Sequence, residues 1–227
     1  MRYRLIFSAA LVVATLAPYP AARGQQAAQP GPAPDISGVW LVEKFRPLLF
    51  PNGGAPFTPW AEAKFKATNP TTDDPNLACL PEGLPRFMIS LPYPMEIFQV
   101  PTRVIIIHEG MQPVRQIYMN RQHLKDLDPS YAGDSIGKWE GDTLVVDTIG
   151  FNDKSWIDGA LPHSEAMHLI ERIRRIDHDT LVDDITIEDP VAYTQALTAH
   201  EVYKLKPGWE IREYVCAENN KYNYQAK

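Results

Sequence analysis

Between residues 135 and 152 the chain reads Ser-Ile-Gly-Lys-Trp-Glu-Gly-Asp-Thr-Leu-Val-Val-Asp-Thr-Ile-Gly-Phe-Asn, two strand-like runs about a Glu140-Gly141-Asp142 turn. A glycine-containing turn between runs rich in β-branched residues has the composition of a β-hairpin, because such side chains suit a pleated, half-buried surface. The pattern recurs along the chain. Runs at 36–44, 95–100, 103–108, 114–119, 135–139 and 143–148 are followed by others at 167–176, 180–188, 198–206 and 210–216. Roughly ten short strands without helical periods between them predict an antiparallel meander. A sheet that long seldom stays open, so the fold expected is all-β, an antiparallel up-and-down β-barrel, with a sandwich as the alternative.

The section between Pro47 and Pro85 breaks this rhythm with repeated prolines and glycines. One short helix is expected inside it, over 58–66, with Thr58 as N-cap and Pro59 in the first turn. A long irregular N-terminal section in a compact domain usually acts as a lid or plug.

Arg2 and Arg4 precede an apolar run at 5–16, and Ala22-Arg23-Gly24 places small residues where a signal peptidase reads. This predicts a secretory signal peptide over 1–24 and a periplasmic or secreted protein. The apolar run is too short to span a bilayer, and no later segment is longer, so no membrane span is expected. A Pro/Ala/Gln-rich leader over 25–34 has little to bury and is expected to be disordered, leaving 35–227 as a single barrel domain. Cys79 and Cys216 both fall in the exported portion, where thiols are oxidised, and a long-range disulfide is predicted; two separate buried thiols are the alternative, since spacing does not show that the sulfurs meet. The net charge of -6, spread over mixed residues, argues against a nucleic-acid surface, which needs a clustered positive field. Arg172, Arg174 and Arg175 read as a solvated strand face with one inward member.

The run from Gly133 to Asp153, followed by Pro162-His163-Ser164 and Glu171-Arg172, resembles a large family of exported, lipocalin-like bacterial proteins. Arg86, Glu96 and the terminal Cys216-Ala-Glu-Asn219 also fit it, and the resemblance covers nearly the whole mature chain. It implies a lipocalin-like barrel with an internal pocket and brings no settled reaction with it. It is also similar to exported sphingomonad-type proteins of this general size that are tied to the breakdown of lignin-derived aromatic dimers.

Several chemistries can be weighed on the residues themselves. Gly133-Asp134-Ser135-Ile136-Gly137 matches the string of a nucleophile elbow, but that motif needs a strand leading into a helix, and here strand, turn and strand continue. His163, His168 and Glu171, with His123 or His108, are the nearest approach to a metal cluster; their spacings of five and three do not converge on one strand face, so no metal is expected. No phosphate loop, dinucleotide fingerprint or paired CxxC is present, and no cofactor is expected.

What remains is a set of polar residues among apolar strand positions. Met167, Leu169, Glu171 and Ile173 share one face, which puts the Glu171 carboxylate among apolar neighbours if that face is interior. It then either carries a raised pKa suited to acid/base work or is paired with an arginine such as Arg115 or Arg86. His108 shares a face with Val104 and Ile106, and Tyr118 with Val114 and Gln116. Trp139, Phe151 and Trp156 are candidates to stack on an aromatic ligand or to fill core and rim, with Asn152 beside them. Arg86 is placed to hold an anion.

The reading is an enzyme performing cofactor-free elimination, decarboxylation or isomerisation on a small, largely apolar, aromatic molecule. His163 or Glu171 is its base, Arg86 or Arg172 its anion holder and Tyr118 its acid, with His163, Glu171 and Arg172 about one cavity. Its rivals are a non-catalytic carrier of the same kind of ligand, and an envelope or inhibitor protein with a filled barrel.

Overall fold

The structure is a computed structural model that describes residues 33–44, 50, 54–90 and 92–219. The expected signal peptide over 1–24 and the leader up to residue 32 lie outside the described residues. Nine strands form a closed barrel in sequence order: β1 (Gly38–Val42), β2 (Met95–Val100), β3 (Arg103–His108), β4 (Val114–Met119), β5 (Asp134–Glu140), β6 (Thr143–Ile149), β7 (His168–Asp177), β8 (Thr180–Glu188) and β9 (Leu197–Leu205). The predicted hairpin is β5 and β6, in register from Asp134↔Ile149 to Glu140↔Thr143, with Gly141 supplying a φ of 65° at the turn. That left-handed backbone is open to glycine without strain.

An odd number of strands has a topological consequence. A strictly alternating meander of nine would bring its first and last strands together in parallel, yet β1 pairs with β9 antiparallel. The compensating parallel pair is β4 with β5, joined by a long crossing over 120–133. Strict up-and-down order therefore fails at this one seam, because parallel neighbours cannot be joined by a tight turn. The expected tenth strand over 210–216 is also absent: those residues are irregular until α3 (Cys216–Asn219).

Side-chain alternation sorts the barrel wall. Val104, Ile106 and His108 of β3 point inward, as do Leu144 and Val146 of β6 and Leu169, Glu171 and Ile173 of β7. The irregular section supplies the plug. After α1 (Pro59–Ala67) and a 3-10 turn (Pro75–Ala78), α2 (Arg86–Ile89) buries Phe87, Met88 and Ile89 in the core. Tyr203 on β9 donates its hydroxyl proton to the Met88 carbonyl at 2.8 Å, and the Phe87 ring lies 6.2 Å from that of His108. Helix α1 begins as its sequence predicts, with Thr58 accepting from the Ala61 amide. It lies outside the barrel, burying Ala61 alone, with Phe57 stacked between Phe65 and Tyr193.

Cys79 and Cys216 are joined in a disulfide across 137 residues. The chain after β9 is tied to the barrel on its way there, through the Arg212 amide on Glu109 at 3.0 Å and the Tyr93–Tyr214 ring pair. Among the described residues no helix is long and apolar enough to cross a membrane.

Candidate functional site

Four ionisable groups meet inside the barrel. Arg115 on β4 is buried, and its guanidinium donates to both oxygens of Glu171 on β7, one contact measuring 2.8 Å. Its remaining N–H groups reach Ser135 Oγ at 3.2 Å and Thr148 Oγ1 at 3.1 Å, and those two hydroxyls lie 2.9 Å apart. Next to this pair stand Asp183 on β8 and Glu201 on β9, register partners across the two strands. Glu171, Asp183 and Glu201 all have 0% exposure.

Two carboxyls, Glu171 and Asp183, beside one guanidinium cannot both be ionised cheaply in a medium without water. Asp183 carries the consequence: burial first, then the neighbouring Glu171 charge, holds its carboxyl well above the usual carboxylate range, with Arg115 opposing. The Tyr203 phenol is pushed up as well, by burial and then by Asp183 and Glu201. The interior thus contains a carboxyl whose protonated form burial favours, a guanidinium fixed by four hydrogen bonds, and two hydroxyls. This arrangement can donate a proton and stabilise a nearby negative charge.

A surface cleft lies at the parallel seam. Strand β4 meets β5 only from Ile117↔Ser135 to Met119↔Gly137. Beyond that contact the two strands part around a cleft of about 200 Å³, lined by Val114, Arg115, Gln116 and Tyr118 on one side and 132–135 on the other. Ser135 is therefore a strand residue holding Arg115, as the hairpin reading of its surroundings predicts.

A second polar group lies near α2. Arg86 makes two hydrogen bonds to Asp74, at 2.8 and 2.7 Å, and its guanidinium lies 5.6 Å from the centre of the Trp156 ring. Close by, Asn76 donates to Glu82, whose other oxygen is buried without a hydrogen-bond partner. Burial pushes the Glu82 carboxyl up to about 7 against the pull of Arg86.

The third group surrounds His163, where Ser155 Oγ is 3.0 Å from Nε2 and the Ser164 carbonyl 3.3 Å from Nδ1. Burial holds this imidazole below its ordinary range, so it is neutral and fills the core with Phe151 packed edge-on. Gly83 presses on Ser155; a Cβ there would come within 2.5 Å of its hydroxyl.

The candidates named from sequence are thus spread over separate places. Glu171 faces inward and pairs with Arg115, one of the two outcomes expected for it. Arg172 does not join it: its side chain is 48% exposed on the outer wall and contacts Glu140 at 3.3 Å. The register is regular at Arg172↔Asp184 and shifts only between Arg175 and Asp177, so nothing turns Arg172 inward. His163 has its hydrogen bonds with Ser155 and Ser164, away from the Glu171 cluster, and the expected cavity shared by His163, Glu171 and Arg172 is not formed.

Tyr118 is on the outer face, flanked by Arg103 and Arg121 at 5.4 and 4.1 Å from its ring centre. His108 is interior, and burial pushes it down to about 4. Phe151 is core, and Asn152 is buried with its side-chain oxygen accepting from the Lys154 amide. Trp139, with Val100, Val104 and Met119, lines a pocket of about 300 Å³ at the hairpin end of the barrel.

Asp183 and Glu201 were not singled out from sequence, although the rule that found Glu171 applies to both. Asp183 alternates with Leu181 and Ile185, and Glu201 with Ala199 and Tyr203, all of them buried. Among the described residues no group of three or more His, Cys, Asp or Glu is arranged to hold a metal. No protein-family model matches this chain, and no curated protein matches it.

Proposed function

We propose that the protein is an exported barrel enzyme performing cofactor-free acid/base chemistry on a small, largely apolar, aromatic molecule, by elimination, decarboxylation or isomerisation. The observation that carries this reading is the buried polar cluster itself, in which the Asp183 carboxyl stands beside the Glu171–Arg115 pair and the guanidinium is held by four hydrogen bonds. A barrel that only stored an apolar ligand has no use for these buried charges, whose desolvation costs several kcal/mol per ion at roughly the usual values. In an isomerisation an ionised carboxylate of the cluster takes the substrate proton, the electron pair moves onto the aromatic or carbonyl system beside Arg115, and Asp183 returns a proton at the new position; in an elimination the pair forms the double bond and the departing group leaves with the Asp183 proton. In a decarboxylation the C–C bond to the substrate carboxylate breaks, CO2 leaves, and Asp183 protonates the carbon that keeps the electron pair. The resemblance to exported lipocalin-like proteins and the Cys79–Cys216 disulfide support export to an oxidising compartment.

The test incubates the purified protein with a panel of aromatic dimers and phenolic acids, followed by mass spectrometry. The wild type is expected to convert at least one, and Asp183→Asn to lose that turnover by about 100-fold or more, the usual size of a general-acid effect. A folded Asp183→Asn protein with full turnover removes the interior cluster from the mechanism.

The carrier reading keeps one specific observation in its favour, the apolar end pocket in which Trp139 offers a ring face. Under it, the panel would show binding that Trp139→Ala abolishes, with no conversion of any compound.

A further inference from the structure

The crossing segment between β4 and β5 is held to the barrel in two different ways. Its later half is fixed by backbone: Ser130 donates to the Gly150 carbonyl at 3.0 Å, Asn152 donates to Ser130, and Leu84 donates to Tyr131. Its earlier half begins with the Asn120 amide on the Gly137 carbonyl at 3.1 Å; beyond it Gln122, Leu124, Lys125 and Asp126 are exposed, and the segment is fastened through side chains, the Leu124 amide also reaching Asp134 Oδ2 at 3.4 Å. Arg121 lies over the Tyr118 ring and donates to Asp134 Oδ1. His123 is inserted between two carboxylates on neighbouring strands, with Nδ1 2.9 Å from Asp134 Oδ2 and Nε2 2.9 Å from Asp147 Oδ1.

An imidazole donates from both nitrogens only as the cation; the neutral ring has one N–H and one lone pair. A lone pair facing a carboxylate oxygen at hydrogen-bond distance is repelled. The other charges around the ring do not remove the conflict. Asp147 Oδ1 also meets His168 Nε2 at 3.0 Å, and His168 Nδ1 faces Glu188 at 3.4 Å. Asp134 is shared with the Arg121 guanidinium.

We infer that His123 is a proton-operated latch, holding residues 121–126 against the barrel when cationic and releasing them when neutral. The latch stands beside the surface cleft, since Asp134 both receives His123 and lines that cleft with Arg115 and Ser135. Acid then keeps the flank of the cleft fastened, and rising pH frees it. The inference does not rest on the proposed reaction and holds equally for a carrier.

Spin labels on the exposed positions Lys125→Cys and Lys138→Cys, with the native disulfide intact, report the separation of the crossing from β5 by pulsed electron resonance. One narrow distance is expected at pH 5.5. At pH 8.5 a second, longer population should grow by about tenfold, the equivalent of losing one charge-assisted hydrogen bond. His123→Gln, which has one donor group and no titration, should show the longer population at both pH values. Distances that do not change with pH in the labelled protein overturn the latch. So does a response that survives in His123→Gln or vanishes in His168→Gln, because either result assigns the proton to another group.

Discussion

Replacing Glu82 with Gln should change how stability depends on pH, by an amount the structure sets. The side chain is buried, and its carboxyl titrates at about 7 in place of 4.5, through burial first, with Arg86 opposing. Between those two values the folded chain keeps a proton that the unfolded chain has released, so the wild type loses stability as pH rises through the window. At ~1.4 kcal/mol per unit, the loss is about 3 kcal/mol by pH 7.5. His108 acts in the opposite sense. Its folded value of about 4 lies below its ordinary 6.5, so it removes stability as pH falls from 6.5 toward 4. The two slopes oppose each other between 4.5 and 6.5 and flatten the wild-type profile there. Glutamine keeps a partner for Asn76 and carries no proton equilibrium, while the contributions of His108, His163 and Asp183 are common to both proteins and cancel in the difference. Urea unfolding followed by circular dichroism from pH 4.5 to 7.5 measures that difference at constant slope. The variant should gain about 3 kcal/mol on the wild type across the window. A difference that is flat with pH refutes the burial argument for Glu82.

Arg115→Met should cost about 3–5 kcal/mol in the same assay, because Glu171 is left in the core without its cation, and Arg115→Met/Glu171→Leu should recover most of the loss. A single variant within about 1 kcal/mol of wild type would show that the pair is not desolvated as described. Cys216→Ser opens a loop of 137 residues and should lose up to about 5 kcal/mol on the chain-entropy account, with free-thiol titration of the unreduced wild type giving no signal.

Much of the barrel is legible in the sequence because strand patterning is local. Alternation along 167–173 places Glu171 inside, and the Glu140-Gly141-Asp142 turn fixes one hairpin without reference to anything distant. What the sequence does not carry is proximity. Whether Arg115 or Arg86 meets Glu171 depends on which strands face each other across the barrel, and both arginines follow equally plausible local patterns. His163 and Glu171 lie only eight positions apart in the chain, yet one hydrogen-bonds within the segment before β7 and the other sits on that strand in the barrel wall. Arg172 follows Glu171 directly in the chain, and strict alternation places it on the outer wall, where it contacts Glu140. The 210–216 run has apolar residues at strand spacing, but the barrel is already closed by β1 on β9, and no edge remains for it to join.

The interior charges are the part of this molecule that stability does not explain. A buried ion pair is generally no better than apolar side chains of the same volume, and here the pair is accompanied by a further buried carboxyl, Asp183, beside the same arginine. The surrounding positions, Leu144, Val146, Ile173 and Ile185, show that this barrel can fill its interior with aliphatic residues. The same nine-strand count that forces a parallel neighbour also places a surface cleft over Arg115, since β4 and β5 share only three register pairs. A costly cluster and a cleft at the same strand are two separate departures from the simplest barrel. Chemistry at the cluster requires the wall between them to open, because Glu171 and Asp183 have no exposure in the closed barrel and a proton donor sealed in the core meets no substrate.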